Sequence, residues 1–526
     1  MSTEYADAPG DTDLTGPAAQ VSRGMTQGDE ASEPALVASA ESSDATEVVG
    51  AAVALARETQ TWWADIGFSG RRHLLDRWRN DITDNIDDLA SVVRRETGKP
   101  HGDAVLEIAL TIEHLAWAAK HARKVLGRRR VGSTLLTAHL AATVEYLPFG
   151  VVGVIGPWNY PVYTPMGSVG YSLAAGNCVV FKPSELTPQT GQWLADSFER
   201  AVGRPCLQVV QGGPAVGDAL CRSGVDKLGF TGSTSTAKKV MATCAETLTP
   251  VLIEGGGNDA LIVDEDADVQ AAAAAAVWGS MSNAGQTCIG VERVIAHEAV
   301  YDELVAAITR EASRVRAGTD DEADLGPITL PKQVALIHEH ISDALARGAR
   351  AVVGGPELEG GPLPSVDDDA PLSHPARLIQ PTVLVDTPPD ARVQLEETFG
   401  PVVTVDRVAS MEEAIELANA GHYGLSGAVF SKSRGPEIAR RIRSGMTSVN
   451  NVIGFSGMPA LPFGGVGHSG FGRIHGPDGL REFCYAKSVA RQRFTPPVAV
   501  TNFDRRARVD GILKAAVGVL HGSRRW

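Results

Sequence analysis

The chain has 526 residues, enough for two or three domains and a large buried core. Its composition, 43% hydrophobic and 21% charged, is ordinary for a globular protein, and a formal net charge of −15 excludes the basic stripe of a nucleic-acid binder. No apolar run reaches the roughly 18 residues of a membrane span, no basic segment leads into an apolar one at the amino end, and the six Cys form no Cys-x-x-Cys pair, so the expectation is a cytoplasmic protein with free thiols.

Residues 1–46 carry nine Asp and Glu against the single basic Arg23 and read as a disordered acidic tail. From Glu47 the spacing turns helical, with Val48, Val49, Ala52 and Leu55 on one face, and long amphipathic stretches follow over 71–95 and 104–125. The texture then changes. The β-branched run 151–155, ending at Gly156-Pro157, predicts a buried strand. Behind it come a helix over 166–175, a strand over 178–181, a helix over 189–202 and strands over 207–210 and 227–230. A helix from Ser235 and a strand over 250–253 complete this half. Such alternation predicts a doubly wound, mostly parallel sheet. The second half repeats it, with helices over 269–281, 299–316, 332–347 and 411–420 and strands over 293–296, 351–353, 402–407 and 447–450. The expected class is therefore α/β with two doubly wound domains. The last segment, 496–526, is an amphipathic tail with Ile512, Leu513, Ala516, Val517 and Leu520 at helical spacing among Arg505, Arg506, Arg508, Arg524 and Arg525. Docking on the protein's own surface or on a subunit is favoured over contact with an anionic membrane.

Chemistry concentrates where predicted strands end. Asn283-Ala-Gly-Gln-Thr-Cys288 places a thiol among Gly and small polar residues just after a helix, a setting for an exposed nucleophile. Most cysteines of such a chain are small buried hydrophobes, and Cys178, Cys206, Cys221, Cys244 and Cys484 keep that reading. Ile253-Glu254-Gly-Gly-Gly-Asn258 sets a carboxylate at the end of an apolar strand, where burial raises its pKa toward that of a general base; alone it would more often be a solvated glutamate. Gly156-Pro-Trp-Asn-Tyr-Pro161 fixes a turn whose Asn159 amide can donate to an oxyanion. Phe181-Lys-Pro-Ser-Glu185 offers a Lys and a Glu for ribose hydroxyls, Phe230-Thr-Gly-Ser-Thr234 opens a helix as phosphate sites do, and Glu396-Glu-Thr-Phe-Gly-Pro401 is the sixth motif.

Together with the late Pro462-Phe-Gly-Gly-Val466 segment these seven motifs, in order over about residues 47–495, resemble the aldehyde dehydrogenase superfamily, including the 34-residue interval from Glu254 to Cys288. The resemblance implies a role for each residue. Cys288 is the nucleophile, Asn159 with the Cys288 backbone amide the oxyanion hole, and Glu254 the base that activates water against a thioester. Trp158, Lys182, Glu185, Gly212, Gly232, Ser233, Glu397 and Phe399 contact a nicotinamide dinucleotide. Glu185 favours NAD, with NADP the alternative, because a carboxylate repels a 2′-phosphate. No metal is implied. The implied domains are a dinucleotide-binding one (47–131 and 148–255), a catalytic one (256–456) and a bridging β arm (132–147 and 482–495) that pairs subunits in a homodimer or homotetramer.

Several residues depart from the family pattern. Gly255 and Asn258 stand where most members have Leu and Lys, and Ala237 where a Gly is common. Ser168 and Ile474 replace a Lys–Glu proton-relay pair, so Glu254 needs another proton exit. Gly464-Gly-Val-Gly-His-Ser-Gly470 is closer to the medium- and long-chain aldehyde branch, and although Gly465, Gly467 and Gly470 match a dinucleotide fingerprint, no strand precedes them and they read as a surface loop. His338-Glu-His340 reads as a solvated helix face rather than a metal site. The expected reaction is NAD-linked oxidation of a small-molecule aldehyde to the acid, the alternatives being a coenzyme A-acylating semialdehyde dehydrogenase and a catalytically silent NAD-binding scaffold. The loop 452–458 is apolar and lacks an Arg for a carboxylate, which leans toward uncharged apolar aldehydes.

Overall fold

The structure is a computed structural model that describes residues 42–355, 366–496, 498, 503 and 507–522. Four helices open it: α1 (Ser42–Asp65), α2 (Gly67–Asp84), α3 (Ile86–Thr97) and α4 (His101–Leu126). The first begins inside the predicted tail. Asp44 in its first turn favours the helix N-terminus, and Ala45 and Val49 are buried. Residues 1–41 of that tail lie outside the described residues. The single stretch expected over 71–95 is two helices, because the Asn85 amide turns back onto the carbonyl of Asp81 at 2.7 Å and closes α2.

Three sheets organise the rest. β1 (Arg129–Val131) and β2 (Leu140–Pro148) pair antiparallel, and β2 is joined much later by antiparallel β16 (Cys484–Gln492), in the order β1-β2-β16. The second sheet contains β3 (Val151–Ile155), β4 (Cys178–Lys182), β5 (Leu207–Val209), β6 (Lys227–Thr231), β7 (Val251–Glu254) and β15 (Gly470–Phe471), in the order β15-β7-β6-β3-β4-β5. It is parallel except for β15. Its crossovers are α5 (Tyr163–Ala175), α6 (Pro188–Val202), α7 (Pro214–Arg222) and α8 (Thr234–Ala245). The third holds β8 (Asp259–Val263), β9 (Val291–His297), β10 (Arg350–Val353), β11 (Thr382–Val385), β12 (Val402–Val408), β13 (Gly427–Phe430) and β14 (Ser448–Val449), in the order β10-β11-β12-β9-β8-β13-β14. Only β10 runs antiparallel there, and α9 (Val269–Met281) is the first of its covering helices. The class is α/β with two mainly parallel sheets, each in its own apolar core, and a small separate β sheet.

Strands β8, β11 and β13 and helix α7, absent from the sequence reading, are all present. The three strands are four or five residues long and buried on both faces, so they carry no alternation to read. In the second sheet Ile155, Lys182, Thr231 and Glu254 each end a parallel strand, so their side chains gather at its carboxyl edge, where α/β folds bind ligands. Helix Ala507–His521 has no buried residue, so among the described residues it is not packed into the chain's own core, and docking on a subunit remains the expectation; Arg505, Arg506, Arg524 and Arg525 lie outside the described residues. Among the described residues no helix is long and apolar enough to cross a membrane.

Candidate active site

All six cysteines are free; five are buried and only Cys288 is partly exposed. Its loop leaves α9 through a 3-10 turn in which Asn283, Ala284 and Gly285 all hold left-handed backbone, φ +54°, +55° and +71°. A side chain at Gly285 would collide with the backbone of Gly400, so only glycine fits. The strain at the other two persists because buried Gln286 pins the loop, its amide donating to the Asn283 carbonyl at 2.9 Å and its oxygen accepting from the Thr329 N–H at 2.8 Å.

The Cys288 Sγ lies 3.6 Å from Oε1 of Glu254, whose other oxygen accepts from Thr231 Oγ1 at 3.4 Å. Glu254 is 3% exposed, and burial pushes its carboxyl up to about 7 against those two hydrogen bonds. Burial also holds the Cys288 thiol well above its ordinary value, with Glu254, Glu397 and Asp259 adding repulsion. The resting pair is thus a neutral thiol beside a carboxyl poised to take a proton near neutrality.

Asn159 is buried in the turn before α5, its amide donating to the Gln286 carbonyl at 2.8 Å and leaving a second N–H. A pair missed in the sequence sets this turn. Lys99 Nζ contacts Glu107 Oε2 and the Asn159 carbonyl, both at 2.7 Å, with the two side chains 1% and 0% exposed. Glu107 Oε1 accepts from the N–H groups of Val162 and Tyr163 at 2.7 and 3.0 Å. The available signal was a glutamate on the apolar face of α4, a position seldom charged without a partner.

A cavity of about 650 Å³ opens at the carboxyl edge of the second sheet, lined by Cys288, Asn159, Trp158, Lys182, Glu185, Gly232, Ser233, Glu397 and Phe399. That is within the roughly 300–1,000 Å³ of ligand pockets. Its lining suits a dinucleotide. Lys182 is 4% exposed, its ammonium pKa lowered by burial and raised in part by Glu185, whose Oε2 is 3.4 Å away. Ser233 caps α8 by accepting from the Thr236 N–H, so a helix N-terminus faces the space. Trp158 and Phe399 meet edge to face at 5.7 Å. Glu397 accepts from the Gly257 N–H at 2.8 Å and lies so close over Gly256 that a side chain there would overlap it. Of the residues expected to contact the dinucleotide, Gly212 is the one outside the lining; at φ +140° and packed on Val216 it instead turns the chain into α7, while Glu254 lines a smaller adjoining cavity.

The departures have local reasons. Gly255 has no room for a leucine, because an added Cβ would lie 2.6 Å from the His468 carbonyl. The late glycine segment is therefore not the expected surface loop: Ser469 is fully buried and bonds Gly256, and Gly470 pairs with Glu254 in β15. Asn258 donates to Glu292 and to the Glu396 carbonyl, both at 2.9 Å, and Glu292 accepts from the Phe399 N–H at 2.9 Å. Glu292, another missed residue, is thereby the support of Phe399, and burial raises its carboxyl to about 7. His340 is not solvated either; it is fully buried, 3.1 Å from Thr398 Oγ1.

The aldehyde dehydrogenase family model matches residues 29–489. A 4,4′-diapolycopene aldehyde oxidase from Methylomonas sp is 35% identical over 447 residues, 84% of this chain and 81% of that protein. The crystal structure of a succinate-semialdehyde dehydrogenase from Burkholderia pseudomallei superposes with a TM-score of 0.78 at 33% identity, over 85% of this chain and 90% of that one. An NADP-dependent enzyme from Escherichia coli does so at 0.78 and 31%, over 85% and 90%. With a fold, a cavity and a Cys–Glu pair of this kind, the chain belongs to the aldehyde dehydrogenase family and is an aldehyde-oxidising oxidoreductase. Its family uses NAD or NADP, acts on small aldehydes and is typically oligomeric.

Proposed function

We propose that the chain oxidises an aldehyde irreversibly to the carboxylic acid with NAD, through a thioester on Cys288. The observation that carries this reading is the position of Cys288, which lines the large cavity while its sulfur stands 3.6 Å from a buried carboxyl. Glu254 takes the thiol proton as sulfur adds to the aldehyde carbon, and the Asn159 amide with the Cys288 backbone N–H stabilises the oxyanion, each donor worth on the order of 3 kcal/mol. The bound dinucleotide supplies the hydride acceptor. Glu254 must give that proton up to solvent before it removes another from water attacking the thioester; the C–S bond breaks, the acid leaves, and the proton taken from water restores the thiol.

Lys182 and Glu185 would hold the adenosine ribose, Gly232 and Ser233 the pyrophosphate, and Glu397 the nicotinamide ribose, with Trp158 and Phe399 bounding the ring. Glu185 beside Lys182 supports NAD over NADP, since a carboxylate repels a 2′-phosphate. The division into a dinucleotide-binding part (47–131 and 148–255) and a catalytic part (256–456), subunit pairing through the β1-β2-β16 sheet and a cytoplasmic setting belong to the same proposal. The free thiols support the last.

The test is NADH formation from an aldehyde panel by the wild type and by Cys288→Ala, with NAD and NADP in parallel. Turnover that is lost in the variant and faster with NAD is expected. Undiminished turnover by Cys288→Ala, or an acyl-CoA product when coenzyme A is added, would overturn the reading.

A further inference from the structure

A second cavity, about 80 Å³, meets the first at Cys288 and Thr164 and also contains Glu254. We infer, building on the proposed function, that this is the aldehyde tunnel and that it selects long apolar aldehydes while rejecting semialdehydes that carry a carboxylate. Its wall is built from Leu106, Leu110, Trp278, Ile453, Phe463 and Ile474. Both tyrosine hydroxyls in it are already satisfied: that of Tyr160 bonds Thr287 Oγ1 at 2.9 Å, and that of Tyr163 donates to the Ser456 carbonyl at 2.9 Å. Among the described residues of the lining there is no Lys or Arg to meet a carboxylate.

The charge that is present has the wrong sign. Asp103 and Glu107 both line the tunnel. The nearest cation, Lys99, is spent: it is held by Glu107 and the Asn159 carbonyl, covered by the Tyr160 ring at 4.3 Å, and 1% exposed. A substrate carboxylate would lose its water beside Asp103 with no cation free to meet it, whereas an alkyl chain loses nothing. The apolar surface also continues outward. Leu106 and Trp278 are 48% and 49% exposed, and Met458, 54% exposed, follows Gly457, which faces Leu110. A chain longer than the tunnel therefore still finds apolar cover at the mouth, so each added methylene should continue to bind.

The experiment compares decanal with succinate semialdehyde, using NAD and the full chain. We expect kcat/KM to favour decanal by about 100-fold or more, in line with the penalty for an unpaired polar group in an apolar site. Leu106→Arg should reduce that ratio by about 10-fold or more, and Trp278→Arg, at the other side of the mouth, guards against one variant failing to fold. A binding assay separates this inference from the reading beneath it. Decanamide and succinamate present the same carbonyl head but are not oxidised, and their binding can be followed by quenching of tryptophan fluorescence, Trp278 lying in the wall. Binding of decanamide alone supports the tunnel assignment even if neither aldehyde is turned over, a result that would defeat only the proposed function. A preference for succinate semialdehyde, or succinamate binding as tightly as decanamide, overturns it.

Discussion

Around Cys288 the charges of Glu254, Glu397 and Asp259 oppose a thiolate, so in the proposed mechanism the sulfur depends on Glu254 to lose its proton as it attacks. Burial lifts the Glu254 carboxyl to about 7, close to the pH at which the proposed base must alternately hold and release a proton. The steady-state rate should therefore climb as pH rises through about 7, where the carboxylate form fills. Glu254→Gln should flatten that limb and lower kcat by about 10²–10⁴-fold. The same shift has a sign in stability. The folded pKa lies above the ordinary 4.5, so the folded state holds the extra proton and stability falls as pH rises from about 4.5 through about 7. Thermal melts across that range should show a shallower decline in Glu254→Gln than in the wild type; parallel curves would contradict the assignment.

The elements that place these groups are held by buried ion pairs and by backbone contacts between glycines. Lys99, at the end of α3, ties Glu107 of α4 to the turn before α5, which is how three separate segments fix Asn159. Lys99→Met would leave Glu107 buried without its cation, and the cost should be about 3–5 kcal/mol, read as a drop in Tm, together with a lower kcat/KM. Beyond a glutamate on the apolar face of α4, none of this was legible in the sequence, because a Lys and a Glu eight residues apart declare nothing about a shared burial site. Cys288, Glu254 and Asn159 were legible because each ends a strand or follows a helix among glycines and prolines. The edges of the long helices and strands were close, since β-branched runs and helical spacing mark them. Short strands such as β8 and β13 escaped, being apolar on both faces, as did the glycine segment before β15, whose pairing with Glu254 comes from a distant part of the chain.

At the scale of the molecule, the two large sheets and their helices bury separate cores while the three-stranded β1-β2-β16 sheet stays thin, its strand β16 exposed. Strand β16 shows eight exposed residues out of nine and, among the described residues, pairs on one side only, with β2. An open edge of that length is a template for another chain, and the proposed subunit contact belongs there. Val489→Pro should shift the mass in light scattering from dimer or tetramer toward monomer; an unchanged mass would move the contact elsewhere.

The covalent role of Cys288 is open to direct reading by intact-mass spectrometry. The wild type, mixed with NAD and excess aldehyde and acid-quenched within the first turnover, should release up to about one NADH per active site and gain one acyl group, mapped by peptide digestion to Cys288, because hydride transfer precedes hydrolysis of the thioester. Glu254→Gln, lacking the base for both steps, should form the adduct more slowly and hold it longer. NADH release with no adduct on Cys288, or an adduct on another residue, would contradict the account.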